Sequence, residues 1–424
     1  MSARGDRRLR VVIDARLAPG RAGGVESVIT GLADGLSGLD GEDESYAFVV
    51  REGAADWLRP YIRGRAELIV EPGFVDVSTT RGRRARRAIG DAMPVTRLLW
   101  RSLAGTRRGA GPTGDRFIDS LSPDVVHFPL QRGCLVDVPS IYHPHDLQHV
   151  HLPQFFTPEE REKRDTWYRT LAQRAAMVAV ASTWTKRDVE RYLQLDPARV
   201  RVVPWAPPTS AGGGTSTPTA TVVDRWQLPE RYVLYPAQTW PHKNHVSLLA
   251  ALNRLASDGV VVPLVATGAK TDYFEDLREL VAGLGLADQV TWTGYVPSAD
   301  LRGIYRGASA VVIPSRFEAV SAPLWEAFAE GVPAACSNVT SLPDQAGDAA
   351  ILFDPDDALA IASAIKTLWT DDATRTRLVA AGRKRVAEFT WDRTARTFRA
   401  HYRRLARRPL SAEDTDLLTA RPPL

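Results

Sequence analysis

The chain has 424 residues, of which 44% are hydrophobic, and this length predicts two domains rather than one core. Its two cysteines, Cys134 and Cys336, are too few for a disulfide framework and too far apart for a paired zinc motif, which favours a reducing cytoplasm. The apolar run after the basic N-terminus is too short for a signal peptide, and no run reaches the roughly 18 apolar residues of a membrane span. We therefore expect a cytoplasmic protein, at most peripheral to a membrane.

The first part of the chain alternates strand-length apolar runs with amphipathic segments, the pattern of a parallel α/β domain. Strands are predicted at LRVVID, YAFVV, ELIV, DVVHF, SIYH, MVAVAS and VRVVPW. After the first strand, Gly23 and Gly24 precede a helix whose apolar face is formed by Val25, Val28, Ile29, Leu32 and Leu36. The glycines could bring backbone N–H groups close to an anion, or could simply ease a tight turn.

Residues 81–116 form a basic insertion with ten arginines against Asp91 and Asp115, in a chain of net charge +4. Two interpretations stay open. The insertion could dock on an anionic membrane surface through these charges and the apolar Leu98, Leu99 and Trp100, or it could be a solvated loop. No nucleic-acid-binding signature accompanies the arginines, so nucleic acid is not an expected partner.

A segment rich in proline, glycine, serine and threonine, residues 206–222, predicts a linker. A second series of strands follows at YVLYPA, VPLVATG, QVTWTGYV, AVVIPS and PAACS. We predict a first domain at 1–205, a second domain at 223–390, a helix at 391–408 and a loosely ordered tail at 409–424.

The stretch PSRFEAVSAPLWEAFAEGVP places Glu318 in a loop and Glu326 in a short helix that is predicted to begin at Pro323 and to stop at Gly331. Glu326 would then lie in the first turn, where the helix dipole favours an acid. Alternatively, the backbone of Val320, Ser321 and Ala322 offers donors to a phosphate, and each glutamate accepts hydrogen bonds from hydroxyls of a ribose or a hexose. The residues alone leave both interpretations open.

Two groups of residues have metal-ligand chemistry. The first is His143, His145, Asp146, His149 and His151, but Pro144 breaks any helical spacing. The second, Asp354 and Asp356, is interpreted as a turn and cap before an amphipathic helix. No metal site is predicted.

The stretch from Pro314 to Pro333, with SLPDQAGDAAILFDPDD after it and QVTWTGYVPSADLRGIYRGASAVVIPS before it, resembles the C-terminal domain of family 4 retaining glycosyltransferases. Their hallmark is two glutamates separated by seven residues, which Glu318 and Glu326 match. The resemblance continues in GGVE, HDLQHVHLPQFFTPEE, YPAQTWPHKN and FTW, and covers Leu9 to about Leu405. It implies a GT-B fold: two Rossmann-like domains facing a cleft, with a C-terminal helix that crosses back to the first domain.

The resemblance also implies roles for the second domain. Glu326 would bind the ribose hydroxyls of a nucleotide diphosphate sugar, and Glu318 the hydroxyls of the transferred sugar. Lys243 would neutralise the diphosphate. The N–H groups of Val320, Ser321 and Ala322 would line the phosphates, and the backbone at Tyr295 and Val296 would border the base.

In the first domain, His145 matches the family's active-site histidine, and Asp146 beside it is assigned to the substrate as well. Gly24, with Gly23 before it, matches the glycine whose backbone faces the donor phosphate. The sequence departs from the family pattern in two places. The family often has an arginine six residues before the lysine that matches Lys243, but Ala237 occupies that place here. The loop after Glu318 also lacks the usual glycines.

The expected function is therefore metal-independent transfer of a hexose, with mannose as the first candidate, to a glycan or a lipid-linked acceptor in polysaccharide or glycoconjugate synthesis. No cofactor is predicted, since the nucleotide sugar is a substrate. Two alternatives stay open: a non-catalytic nucleotide-sugar-binding or scaffold subunit, and an isomerase or hydrolase that acts on nucleotide sugars.

Overall fold

The computed structural model describes residues 7–18, 24–41, 43–73, 111–208, 216–422 and 424. Its first sheet has seven parallel strands in the order β3-β2-β1-β4-β5-β6-β7. The strands are β1 (Leu9–Asp14), β2 (Glu44–Arg51), β3 (Ala66–Glu71), β4 (Val125–Phe128), β5 (Ser140–Tyr142), β6 (Met177–Val180) and β7 (Val200–Val202). Each predicted strand of the first domain is confirmed, and the inner strands β4, β5 and β6 are buried along their whole length between helices, whereas the edge strands β3 and β7 are only partly buried.

The second sheet has six parallel strands in the order β10-β9-β8-β11-β12-β13. They are β8 (Val233–Pro236), β9 (Leu264–Thr267), β10 (Val290–Gly294), β11 (Ala310–Ile313), β12 (Ala334–Ser337) and β13 (Ala350–Phe353). The first five were predicted. The sequence prediction missed β13, a four-residue edge strand that is only partly buried.

Helices cover both sheets, as expected for connections between parallel strands. The first domain contains α1 (Gly24–Ser37), α2 (Arg116–Ser120), α3 (Gln148–His151), α4 (Pro158–Arg174) and α5 (Thr183–Leu193). The second contains α6 (Thr219–Trp226), α7 (His245–Ser257), α8 (Phe274–Gly283), α9 (Ser298–Gly307), α10 (Ala322–Glu330), α11 (Leu342–Ala346), α12 (Ala358–Thr370) and α13 (Asp372–Val386). None of the helices in the described ranges is both long and apolar enough to cross a membrane.

The C-terminal helix α14 (Trp391–Leu405) crosses back from the second domain to the first, as the resemblance implied. Trp391 lies so close to α1 that a Cβ built on Gly31 would meet its ring at 2.0 Å, so only glycine permits this crossing. Further along, the Tyr402 hydroxyl lies 2.6 Å from Nδ1 of His127, whose Nε2 lies 2.7 Å from Nε2 of His143. This buried chain ties α14 to the ends of β4 and β5.

The structure adds two details to the predicted boundaries. Helix α6 begins at Thr219, inside the segment predicted as a linker. The tail contains α15 (Ala412–Thr419), where Ser411 and Asp414 form a capping box and Asp414 pairs with Arg403 of α14 at 2.7 Å. The expectation of loose order is wrong for this helix, because the cap and the ion pair hold it against α14.

Candidate active site

Lys243 and Glu318 form an ion pair at the carboxyl edge of the second sheet, with Nζ 2.6 Å from Oε1. The lysine follows β8 at the end of a short 3₁₀ turn, Pro241–Lys243. Its carbonyl accepts a 2.6 Å hydrogen bond from the Tyr235 hydroxyl, and the next residue, Asn244, donates its amide to Pro314 O and Pro355 O. The turn is therefore fastened to the loop that carries Glu318.

The backbone of Glu318 is held by two side chains that come before α11. Its N–H donates to Thr340 Oγ1 at 3.1 Å, and its carbonyl accepts from the hydroxyls of Thr340 and Ser341 at 2.7 Å each. Three hydrogen bonds to one residue fix the direction of its side chain. Sequence reasoning did not assign Thr340 or Ser341, because a serine or threonine after a strand has many ordinary roles in turns.

Helix α10 begins at Ala322 and ends at Gly331, whose φ of 71° is the left-handed conformation that glycine favours. The predicted helix is confirmed, but the loop that was predicted to line the phosphates differs from expectation in one respect. Ser321 donates its N–H to Gln345 Oε1 at 2.8 Å, so this donor is already used. The N–H groups of Ala322 and Leu324, in the first turn, have no acceptor within the helix. Pro323 between them has no N–H group.

Because α10 begins at Ala322 and not at Pro323, Glu326 lies one residue further into the helix than predicted, and no acid occupies the first turn. The helix-dipole interpretation of Glu326 is therefore wrong. Its Oε2 accepts a 2.6 Å hydrogen bond from the Tyr305 hydroxyl, and Glu326 is only partly buried. Desolvation raises the pKa of Glu326, while the Tyr305 hydrogen bond opposes this rise and the charge of Glu330 adds to it.

On the first domain, His145 and Asp146 follow β5. His145 has a φ of 63°, a conformation that costs energy for a residue with a side chain, and the Asp146 N–H closes a tight turn by donating to Pro144 O at 2.8 Å. Nε2 of His145 lies 2.8 Å from Pro129 O. Because a carbonyl only accepts, Nε2 carries the proton and Nδ1 is an acceptor. Burial lowers the pKa of His145 to about 4, so the ring is neutral at pH 7.

The Asp146 carboxylate accepts hydrogen bonds from the Gln148 N–H at 3.1 Å and from the Gln131 amide at 3.3 Å, and Arg164 of α4 lies 3.9 Å away. Burial raises the pKa of Asp146, Arg164 opposes the rise, and the charges of Glu318 and Lys243 act on it as well. Since these last two belong to the second domain, charges from both domains act on Asp146.

The other predicted positions are distributed around this cleft. Gly24 begins α1, and a Cβ built there would meet nothing within 4 Å, whereas Gly23 lies outside the described residues. Tyr295 is 65% exposed after β10, while Val296 is buried. The basic insertion predicted at 81–116 lies outside the described residues up to position 110.

At Ala237, where the family often has an arginine, the chain places no cation. Its N–H donates to Thr267 O at 2.9 Å, and the following Gln238 accepts from the indole N–H of Trp240. A cation that sequence reasoning missed is Arg164, whose charge reaches both Asp146 and His242. Nothing in the sequence marks it, because it is one of several basic residues on a charged helix.

The histidines that have metal-ligand chemistry do not converge. His143 contacts His127, His149 packs its ring on Tyr168, and His151 pairs with Asp188 at 2.7 Å. No group of three or more His, Cys, Asp or Glu side chains that could hold a metal occurs among the described residues. Asp356 pairs with Arg316, and the cap of α12 is Asp357, which accepts from the N–H groups of Leu359 and Ala360.

Two sequence-family models match the chain. Residues 22–206 match Glycosyltransferase Family 4, and residues 221–385 match Glycosyl transferases group 1. An O-antigen chain mannosyltransferase B from Escherichia coli is 29% identical over 276 residues, which are 62% of this chain and 72% of the relative. A D-inositol 3-phosphate glycosyltransferase from Salinispora arenicola is 29% identical over 276 residues, or 61% of each chain.

The crystal structure of Anabaena HepE in complex with UDP and glucose is similar in fold. It has a TM-score of 0.67 at 14% identity, over 93% of this chain and 99% of that chain. Its superposition spans both sheets, so it supports the GT-B fold. Together with the two family models, which cover one domain each, these findings establish that the chain belongs to the family 4 glycosyltransferases of GT-B fold.

Proposed function

We propose that this glycosyltransferase moves a hexose, with retention of anomeric configuration and without a metal, from a nucleotide diphosphate sugar to a hydroxyl of a glycan or a lipid-linked acceptor. The observation that carries this proposal is the Lys243–Glu318 pair, at 2.6 Å, whose charges also act on Asp146 of the other domain. The pair places a cation, Lys243, beside a carboxylate, Glu318, that can accept hydrogen bonds from sugar hydroxyls.

Breaking the anomeric C–O bond leaves negative charge on the diphosphate. Fixed donors aimed at that charge lower the barrier, and removing one such donor typically costs about 10²- to 10³-fold in kcat. Lys243 is the cation suited to this role, with the first-turn N–H groups of α10 beside it. When the diphosphate takes Lys243, Glu318 is released to accept hydrogen bonds from the sugar hydroxyls, and its fixed backbone keeps the carboxylate in place.

Glu326 is the residue we assign to the ribose. A carboxylate accepts two hydrogen bonds at once from a vicinal diol, and the Tyr305 hydroxyl occupies only one position on its Oε2. The donor base is assigned to the backbone at Tyr295 and Val296. Mannose is the first candidate for the sugar, because the Escherichia coli relative is named an O-antigen mannosyltransferase, and this name also suggests a role in surface polysaccharide synthesis.

His145 and Asp146 are assigned to the transferred sugar and the acceptor. At pH 7 the neutral ring of His145 has one unused acceptor, Nδ1, which is buried in this structure, since Nε2–H is bound to Pro129 O. The Asp146 carboxylate, with two hydrogen bonds already made, keeps lone pairs for acceptor hydroxyls. Both assignments suit neutral sugar hydroxyls.

A second candidate is a non-catalytic nucleotide-sugar-binding subunit. The observation that favours it is Ala237, which leaves the diphosphate one charge-assisted contact fewer than the family often supplies. A subunit of this kind would bind a nucleotide sugar without consuming it, and so would differ from a hydrolase or an isomerase, which would consume the donor without any acceptor.

A thermal-shift screen with a panel of nucleotide sugars identifies the donor, because a ligand at a hundred times its Kd adds about 2.7 kcal/mol of stability. Turnover with that donor is then measured with and without a mannoside acceptor, in excess chelator. Transfer that persists in chelator supports the proposal. Strict dependence on added magnesium or manganese, or donor binding with no turnover, would contradict it.

We also propose that the protein works in the cytoplasm at an anionic membrane surface, which residues 81–116 contact. Each arginine near such a surface contributes on the order of 1 kcal/mol. Vesicle co-sedimentation at low salt tests this, with Arg83, Arg84, Arg86 and Arg87 changed to glutamine in the matched variant. If the parent protein ignores anionic vesicles, the insertion is merely solvated.

A further inference from the structure

Phe317, the residue directly before Glu318, is a second-domain side chain that is buried against the first domain. It is only 4% exposed. Its ring centroid lies 5.5 Å from that of His151, at an interplanar angle of 35°, and 5.6 Å from that of Trp184, at 81°. His151 ends α3 and Trp184 lies in the first turn of α5, so both partners come from across the cleft.

The surface that receives Phe317 is itself fixed. His151 Nε2 lies 2.7 Å from Oδ1 of Asp188, which is buried on α5, and the His151 ring also contacts those of Trp184 and Tyr192 at 5.5 and 5.4 Å. These contacts join α3 and α5 into one unit. The ring of Phe317 therefore docks on a preformed aromatic surface rather than on a loose loop.

The other neighbour of Glu318 is tethered to the same domain. The Ser182 hydroxyl, at the cap of α5, donates to Ala319 O at 3.4 Å. Glu318 is thus flanked on both sides by contacts to the first domain, while its own N–H and carbonyl are held by Thr340 and Ser341 of the second domain.

We propose that Phe317, His151 and Trp184 form a closure latch that positions Glu318 for glycosyl transfer. The latch closes the first domain on the loop that carries Glu318, so the carboxylate meets the sugar only when the cleft is shut. These three are positioning residues, since none of them needs to touch the substrate. The kinetic consequence of the latch rests on the proposed function. Its structural consequence, the closure of the cleft, does not.

The kinetic test compares Phe317→Leu with Phe274→Leu. Phe274 makes a similar ring contact, 5.3 Å from Trp292 at 84°, but within the second domain, so it controls for loss of an aromatic pair that does not cross the cleft. Phe317→Leu should lower kcat about tenfold, because aromatic pairs contribute beyond their buried area, and should leave affinity for the nucleoside diphosphate within about twofold. Phe274→Leu should leave kcat nearly unchanged.

A double-mutant cycle combines Phe317→Leu with Trp184→Leu and measures kcat. The coupling between the two changes would not be seen in kcat if the residues had only a structural role. The double variant should be no slower than the slower single variant, since each change removes the same contact. Additive losses, or a Phe317→Leu enzyme as fast as Phe274→Leu, would overturn the latch.

Small-angle scattering supplies a measurement that does not depend on turnover. The radius of gyration of Phe317→Leu and Trp184→Leu should exceed that of the parent and of Phe274→Leu, because the cleft opens. If the parent transfers no sugar from any donor but the two latch variants are still more open, the proposed function fails and the latch stands. Equal radii for all four proteins would refute the latch.

Discussion

The two sides of the cleft are built in different ways. On the side that we assign to the donor, Lys243, Glu318 and Glu326 come from one domain, and neighbouring hydrogen bonds from Tyr235, Thr340, Ser341 and Tyr305 hold them. On the side that we assign to the acceptor, His145 and Asp146 depend on partners from separate loops and helices: Pro129, Gln131 and Arg164. Left-handed residues other than glycine occur on both sides: His145 in the first domain, and Asn244 and Thr340 in the second.

This difference indicates what each side can vary. The diphosphate is the same in every nucleotide diphosphate sugar, so a fixed set of contacts on one domain suffices for this part of the donor. Acceptors differ, and loops that connect separate strands can change without disturbing the sheet. The acceptor side is therefore where we expect this chain to differ most from its relatives.

The largest expected effect comes from the cation on the donor side. Lys243→Ala removes the charge that we assign to the leaving diphosphate, so kcat should fall about 10²- to 10³-fold. Steady-state kinetics with the donor from the screen measures this, and Lys366→Ala, an exposed lysine on α12, is the control. If Lys243→Ala had the kcat of the parent, the assignment of the leaving diphosphate to Lys243 and its side of the cleft would be wrong.

The next effect concerns acid and the buried histidines, whose pKa values are lowered in both domains. Burial lowers the pKa of both His145 and His149 from 6.5 to about 4. Between these values the unfolded chain binds more protons than the folded chain, so stability should be intact above pH 6.5 and fall as the pH drops towards 4, by on the order of 1.4 kcal/mol per pKa unit for each of the two rings.

Chemical denaturation at a series of pH values between 7.5 and 4.5 checks this dependence. His149→Phe keeps an aromatic ring against Tyr168 and removes one titrating group, so its unfolding free energy should fall less steeply with pH than that of the parent. A parent protein whose stability does not change between pH 7.5 and 4.5 would contradict the buried, neutral state of these rings.

A smaller effect is expected at the ribose. Glu326→Gln keeps the shape of the side chain but loses the charge that strengthens its hydrogen bonds, so KM for the donor should rise about tenfold while kcat changes little. The control is Glu279→Gln, an exposed acid on α8. A fall in kcat at constant KM would instead place Glu326 at the reacting sugar.

The smallest effect is expected for Tyr402 of the crossover helix α14, which contacts His127 of β4. Tyr402→Phe removes the hydroxyl that contacts His127, so the unfolding free energy should drop by about 1 kcal/mol. Activity should stay close to that of the parent, because the crossover helix keeps its other contacts. Tyr232→Phe, which loses a buried hydroxyl bonded to Ile304 O within the second domain, is the matched control. A large loss of kcat in Tyr402→Phe alone would mean that the buried chain takes part in transfer.

Much of the fold was predictable because buried parallel strands are continuous apolar runs of strand length. The exception among the described strands is β13, a short edge strand of four apolar residues; incomplete burial does not explain why it was missed, since the edge strand β3 is also partly buried and was predicted. The donor side was predictable for a related reason: Glu318, Glu326 and their helix lie within one short stretch, and Lys243 sits in a recognisable turn.

What the sequence could not supply are the contacts between distant segments. The use of the Ser321 N–H by Gln345 depends on how α11 packs against the loop, and the approach of Arg164 to Asp146 depends on how α4 packs beside β5. The start of α10 at Ala322, rather than Pro323, was enough to move Glu326 out of the first turn. Differences of one residue at a helix end thus change the physical interpretation of a side chain.

The central claim is that the donor separates the Lys243–Glu318 pair, with the diphosphate taking the lysine and the sugar taking the glutamate. Calorimetric titration of the nucleoside diphosphate and of the intact nucleotide sugar into the parent, Lys243→Ala and Glu318→Gln tests it directly. Lys243→Ala should weaken both ligands. Glu318→Gln should weaken only the nucleotide sugar and bind the nucleoside diphosphate as tightly as the parent or more tightly, since its lysine is no longer paired. Equal weakening of both ligands by Glu318→Gln would contradict the claim.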